Sequence, residues 1–290
     1  MISYFQAIVI GLIQGVTELF PISSLGHSVL LPAWLHWNTI VGAQSADKSF
    51  YLAFLVALHV ATALALVVYF RADWVRIIRA FVRIVRTRTL STADERLAFL
   101  IVVATIPVGV LGLAFEHALR TVFAKPLAAA VFLTVNGVLL AGGEWVRRRS
   151  ETAHRRAASE PLGRRLETLD VREAGIIGVA QSAALFAGIS RSGITMIAGL
   201  VRGLDHEDAA RFSFLLATPV ILAAGLLKIP SLFGPLGDGV RGQALAGAVA
   251  AAIAAYAAVR FLIRFFKTRN LIPFAIYCLI AGALSIIRFA

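Results

Sequence analysis

Six stretches of this chain are apolar over close to twenty residues each: 51–70, 97–115, 127–146, 211–228, 242–266 and 271–289. A helix needs about 20 such residues to cross a ~30 Å hydrocarbon core. In lipid, every backbone N–H and C=O must be paired within the spanning segment, so each stretch is predicted to be a transmembrane helix. The composition agrees, with 59% of the 290 residues hydrophobic and 15% charged, against roughly 45–50% and about 25% in soluble domains. The mean hydropathy of +0.83 shows that the excess is chain-wide. A polytopic all-α membrane protein is expected, with no sizeable aqueous domain.

Two further apolar stretches are interrupted. Residues 5–36 are broken by Pro21-Ile22-Ser23-Ser24-Leu25-Gly26-His27, and residues 174–201 by Gly188-Ile189-Ser190-Arg191-Ser192-Gly193. Irregular backbone is tolerated at membrane depth only where it is buried in protein or lines a wet cavity. Both stretches therefore read as re-entrant helix–loop–helix hairpins. Charge bias supports this count. Segments 71–96, 147–172, 202–211 and 260–269 hold 21 of the 28 Lys and Arg residues, including seven arginines in the first and eight in the second. All four fall on one side only if both hairpins return to the side they entered. The positive-inside rule then makes these loops cytoplasmic and puts both termini outside. This topology also accounts for the net charge of +12 without nucleic acid. The start, Met1-Ile-Ser-Tyr-Phe, lacks a basic segment, so no cleaved signal peptide is expected. A single cysteine, Cys278, excludes an internal disulfide or a cysteine zinc cluster.

The interrupted stretches align without a gap at an offset of 167: Gly11 with Gly178, Gln14 with Gln181, Ile22 with Ile189, Ser23 with Ser190 and Gly26 with Gly193. Each half is one hairpin followed by three spans. Because three is odd, the halves have opposite orientation, an inverted repeat whose hairpins meet near the midplane. The expected division is 1–146 for the first repeat, 147–172 for a polar cytoplasmic linker and 173–290 for the second repeat, in one membrane domain.

A charge at membrane depth costs at least ~2.5–3.5 kcal/mol and marks function. Two are deep, Glu18 and Arg191. Glu116, Glu144 and Glu173 lie at span ends, where loop solvation accounts for them. Gln14 and Glu18, four residues apart, share a helix face. An ion pair between Glu18 and Arg191 would fix the hairpins together but leaves the surrounding hydroxyls unexplained. Ser190-Arg191-Ser192-Gly193 with Thr195 reads as a phosphate site: a bidentate guanidinium beside a glycine-flanked turn that opens a helix. Capping alone explains Ser190 but requires no arginine. His27, three residues after Ser24, is placed to move a proton for phosphoryl chemistry. His59, in mid-span, is placed to line the same cavity. Asn136 reads as an interhelical hydrogen bond, and His117, His154 and His206 as loop residues.

These residues resemble a known family. Gln14-Gly-Val-Thr-Glu18 with Phe20-Pro21-Ile22-Ser23-Ser24-Leu25-Gly26-His27 is similar to the first signature of the bacterial undecaprenyl-diphosphate phosphatases, the bacitracin-resistance family. Gly188-Ile189-Ser190-Arg191-Ser192-Gly193-Ile194-Thr195 is similar to the second. Segments 212–219 and 272–277 also resemble family segments. Two positions depart from the pattern: Ala187 stands for the proline before Gly188, and Leu55 for an aspartate after Phe54. The resemblance implies hydrolysis of undecaprenyl diphosphate to the monophosphate, recycling the lipid carrier of cell-wall synthesis at the outer face of the inner membrane. It also implies a divalent cation, Mg²⁺ or Ca²⁺, with Glu18 and Gln14 holding the metal or Glu18 acting as a catalytic base.

With the residue reading, it gives Arg191 as diphosphate clamp, Ser23, Ser190, Ser192 and Thr195 as phosphate ligands, Ser24 as nucleophile and His27 as its proton partner, with His59 supporting. Attack by a metal-activated water is open beside this. The partners expected are the polyprenyl diphosphate and membrane lipids, with a homodimer left open. An anion or polyprenyl-phosphate transporter on the same inverted repeat is the alternative.

Overall fold

A computed structural model describes residues 2–44, 50–123, 125–157, 165–234 and 237–290, with the side chains of 43–44, 116–123, 150–157 and 231 left out of account. Glu116, His117, His154 and part of the expected linker thus lie outside the residues whose side chains are described. The described residues are helical, with no strand. Six helices are long and apolar enough to cross a membrane, as the sequence predicts: α4 (Phe50–Tyr69), α6 (Ala93–Phe123), α7 (Pro126–Ala157), α10 (His206–Lys228), α11 (Arg241–Phe265) and α12 (Ile272–Phe289).

Two stretches expected to be loop or linker are helical instead. Segment 71–96 contains α5 (Arg71–Thr87), whose arginines at 71, 76, 79, 83 and 86 share its surface with exposed Val75, Ile78, Val82 and Val85. Such a two-faced helix belongs at a membrane interface. The expected linker also begins as helix, because α7 continues to Ala157. In addition, α10 starts five residues earlier than its apolar run, since Asp205 caps it by accepting from the Asp208 N–H.

The interrupted stretches form two helical hairpins. The first is α1 (Tyr4–Leu19) and α2 (Ser24–Trp34), followed by the short α3 (Asn38–Gln44). The second is α8 (Val171–Gln181), a 3₁₀ turn over Ser182–Leu185, and α9 (Arg191–Val201). With 16 residues in α1 and 11 in each other arm, and 1.5 Å of rise per residue, the arms are ~17–24 Å long. None can cross a ~30 Å core.

Both arms of the first hairpin end at one end of the bundle. The Tyr4 hydroxyl lies beside Gly242 at the start of α11, and Trp34 Nε1 donates to Ser285 Oγ near the end of α12 at 3.0 Å. The second hairpin starts and finishes at the other end, where Asp208 receives the Leu166 N–H at 2.8 Å just before α8, and Gly199 of α9 faces Leu204 and Ala209.

Close packing seats the hairpins. Gly11 and Gly15 of α1 lie on the backbone of α11 at Gly247 and Ala251, while Gly178 of α8 lies on that of α6 at Ala104. Gly11 and Gly178 are the matched positions of the sequence repeat, and each touches the middle span of the opposite half. Small residues allow this approach, which is how membrane helices gain dispersion energy without a hydrophobic drive.

The arginine-rich segments gather at one end and are cross-linked there. Arg211 Nη2 bonds Asp73 at 2.6 Å, and Lys267 lies 3.6 Å from Glu207. His206 was expected to be an unremarkable loop residue. It is buried, with Nε2 at 2.9 Å from Glu144 Oε2, Nδ1 at 2.6 Å from Arg147, and its ring stacked on Phe266. Glu144 is likewise buried rather than solvated, because the three polar groups satisfy one another.

Candidate active site

The sequence breaks each hairpin where helix cannot continue. Pro21 has no N–H to give. Ser23 adopts a left-handed φ of 70°, a conformation that costs a non-glycine residue about 1–3 kcal/mol and clusters at functional sites. In the second hairpin Gly188 has φ 114°. A Cβ there would also sit 2.6 Å from that of Phe132 and 2.7 Å from the Leu133 nitrogen on α7, so only glycine fits. Ala187, where the family has proline, is buried just before it.

Each turn is closed by the serine before the next helix. Ser23 Oγ accepts from the Gly26 N–H at 3.2 Å, and Ser190 Oγ from the Gly193 N–H at 3.1 Å. The four residues are matched pairs of the repeat, and they do the same work in both halves. Two helix N-termini, those of α2 and α9, therefore converge with their free N–H groups and positive dipole ends.

The tips are bonded to each other and to α7. Ser23 Oγ also accepts from the Gly188 N–H at 3.2 Å, and Ser192 Oγ donates to the Phe20 carbonyl at 3.2 Å. Asn136, at the middle of α7, bridges both tips: its Nδ2 donates to the Pro21 carbonyl at 3.0 Å, and its Oδ1 accepts from the Ser190 N–H at 2.9 Å. It is an interhelical bond as predicted, but one made to the two turns.

Beside the junction lies a cavity of about 250 Å³, just under the usual roughly 300–1,000 Å³ of small-molecule sites. Its polar wall is Glu18, Ser23, Ser24, His59, Gln181, Ser190 and Arg191, and its apolar wall includes Val56 of α4, Val108 of α6 and Val220 of α10. Glu18 is the hub. Its Oε1 accepts from Arg191 Nη2 at 2.7 Å. Its Oε2 accepts from Ser24 Oγ at 2.5 Å and Gln14 Nε2 at 3.1 Å, and His59 Nε2 stands 3.3 Å away. The second arm of the Arg191 fork, Nη1, donates to the Ser213 carbonyl at 3.3 Å. His59 is fixed by donation from Nδ1 to the Leu55 carbonyl at 2.7 Å. Leu55 itself packs with Tyr51, Phe54 and Leu58.

Glu18, Ser24, Arg191, Gln14, Ser23, Ser190 and His59 are thus brought together. Three predicted residues are placed elsewhere. His27 does not line the cavity: Nδ1 donates to the Ser23 carbonyl at 2.7 Å, and Nε2 lies 2.7 Å from the hydroxyl of Tyr277, on which the ring stacks. Ser192 points to Phe20 and Ser190, and Thr195 donates to the Arg191 carbonyl and to Ser213 Oγ, so both are buried behind the cavity wall. Sequence reasoning missed Tyr277 and Ser213. Gln181, the repeat partner of Gln14, lines the cavity with a buried Oε1 that has no protein partner, and only its place in the repeat could have marked it.

The profile of the family described as bacitracin resistance protein BacA matches residues 7–284. The chain is 56% identical over 338 residues to undecaprenyl-diphosphatase 2 of Frankia alni, covering 100% of this chain and 98% of that protein. It is 56% identical over 300 residues, with the same coverage, to undecaprenyl-diphosphatase of Mycolicibacterium paratuberculosis. The similarity holds at 43% over 287 residues, 97% of both chains, to undecaprenyl-diphosphatase 2 of Chromobacterium violaceum. Matched by that profile over residues 7–284, the chain belongs to the bacitracin resistance protein BacA family.

Proposed function

We propose that this protein is a membrane phosphatase that hydrolyses undecaprenyl diphosphate to undecaprenyl phosphate and inorganic phosphate, returning the lipid carrier to cell-wall synthesis. The names of its relatives support the substrate. The observation that carries the chemistry is a serine hydroxyl bonded to a buried carboxylate, which is itself paired with an arginine where two helix N-termini meet. A nucleophile within hydrogen-bond reach of its base is the arrangement that activates a hydroxyl.

In this reading Arg191 exchanges Glu18 for the diphosphate, and the start of α9 with Ser190 holds the phosphate oxygens. Glu18 takes the Ser24 proton as Oγ attacks the terminal phosphorus. An O–P bond forms, the bridging P–O bond breaks, and undecaprenyl phosphate leaves. Water then cleaves the phosphoserine, freeing inorganic phosphate and restoring Ser24. His59 holds the carboxylate. His27, through the Ser23 carbonyl, positions the strained turn that presents Ser24, and Ser192 and Thr195 brace the tip.

A divalent cation fits the donors. The buried Gln14 Oε1 has no protein partner and neighbours Glu18, and an all-oxygen set suits Mg²⁺ or Ca²⁺. Among the described residues no three His, Cys, Asp or Glu side chains gather for a metal, so phosphate oxygens and water would complete the shell. When bound, the cation supplies positive charge to the diphosphate. The hairpins are proposed to re-enter the bacterial inner membrane, with the cavity reached from the outer face.

Purified protein in detergent should release inorganic phosphate from a polyprenyl diphosphate without any gradient. A slow variant quenched in turnover should carry phosphate on Ser24. Binding without release under these conditions would leave a carrier, and turnover with no phosphoserine would replace Ser24 by water as the attacking group.

A further inference from the structure

Helix α1 ends about one turn before α11 does. It covers α11 from Gly242, beside Tyr4, to Phe261, whose ring stacks on Phe20 at 5.9 Å. Past that point α11 runs on beyond the reach of α1 to Phe265 and into the turn at Arg269. Where α1 ends, a groove of about 520 Å³ is lined by Arg260, Phe261, Arg264, Phe265, Thr268 and Arg269. It lies at the arginine-rich end of the bundle, away from the Glu18 cavity.

Its charge is unbalanced. Neighbouring cations are matched, Lys267 with Glu207 and Arg211 with Asp73. Among the described residues, none of the three groove arginines has a carboxylate partner, and all three are exposed. Positive-inside bias accounts for cations at this end but does not gather three around one aromatic-floored groove. Arg260 and Arg264 are one helical turn apart, ~6 Å along the axis, and Arg269 follows in the turn. The guanidiniums thus follow one another along the end of α11, beside the Phe261 and Phe265 rings, which suit acyl chains.

We propose that this groove binds an anionic glycerophospholipid of the phosphatidylglycerol class. The arginines take the phosphate diester as bidentate donors, Thr268 adds a hydroxyl, and an acyl chain lies along Phe261 under the first hairpin. A zwitterionic lipid would bring its own cation against the three arginines and is disfavoured. The bound lipid packs beside the end of α1, against the Phe20–Phe261 stack, and so supports the hairpin carrying Glu18 and Ser24.

Native mass spectrometry of the detergent-purified protein, titrated with phosphatidylglycerol or phosphatidylcholine, tests this. The wild type is expected to retain phosphatidylglycerol selectively. Each of Arg260→Gln, Arg264→Gln and Arg269→Gln should weaken that binding roughly fivefold, the effect of about 1 kcal/mol per cation near a lipid surface. Neutralising the same number of arginines on α5 (Arg79→Gln, Arg83→Gln and Arg86→Gln) should leave the tightest-bound lipid in place. The proposal is overturned if phosphatidylcholine binds as well, if the α5 set removes the lipid and the groove set does not, or if inorganic phosphate at equal concentration displaces it. The last result would make the groove a site for a soluble anion.

Discussion

Arg191 is worth its place because of its shape more than its charge. One arm of the fork holds Glu18 and the other the Ser213 carbonyl, so the guanidinium is aimed before substrate arrives. Lysine keeps the charge and loses the fork. Arg191→Lys should therefore lower kcat/KM roughly 10- to 150-fold, the ~1.5–3 kcal/mol of a hydrogen bond to a charged group, and phosphate-release kinetics read this directly. Near-normal turnover would show that charge alone matters. Asn136 makes a different case, since it reaches both tips through their backbone and also touches Cys278 Sγ at 3.3 Å. Asn136→Leu keeps the volume but leaves the Ser190 N–H buried and unpaired, at about 1–3 kcal/mol, and the Pro21 carbonyl with only the long contact from the Cys278 thiol at 4.0 Å. Thermal stability and turnover should fall together, and a variant with unchanged melting would show that the tips hold without this bridge. Glu18, Arg191 and Ser24 stand out in the sequence because charges and hydroxyls are expensive in apolar stretches. The work of Asn136 was not legible, since one amide can pair with anything. Nor could spacing tell which histidine faces the carboxylate: His27 is near Ser24 in the chain, yet His59, from another helix, is the one beside Glu18.

At the scale of elements, run length made the six spans readable, because membrane thickness dictates it, and the polar interruptions marked where the two shorter helix pairs break. Helix α5 escaped because its arginines dominated the reading and masked the apolar residues between them. The hairpin arms depend on close approach, and Gly188 is the sharpest instance. Gly188→Ala would put a side chain on a left-handed residue already touching α7. The backbone term alone costs about 1–3 kcal/mol, and displacement of the tip from α7 adds to it. A lower melting temperature with weakened phosphate release is the expected outcome. If the alanine protein melts and turns over normally, the second tip is not held in the way described.

For the molecule as a whole, the matched residues of the two hairpins meet from opposite ends: Ser23 with Gly26 caps one helix, and Ser190 with Gly193 the other. The sequence carried that symmetry in its alignment and its sidedness in the arginines, but the end of the bundle open to the outside is a separate question. If the positive-inside rule holds for the arginine-rich end, the loop between α10 and α11, where exposed Asp238 pairs with nearby Arg241, should lie outside together with the open ends of the first hairpin. In a Cys278→Ala background, Asp238→Cys should react with an impermeant thiol reagent added to intact cells. Ser91→Cys, exposed between α5 and α6, should react only after the membrane is opened. The reverse pattern would turn the molecule over. The apolar tail of the substrate gains about 0.8 kcal/mol per CH₂ from staying in lipid, so the headgroup can be met only in the leaflet toward which the cavity opens. In the inverted case that leaflet would be the inner one, and the cavity would act on diphosphate lipid at the cytoplasmic face.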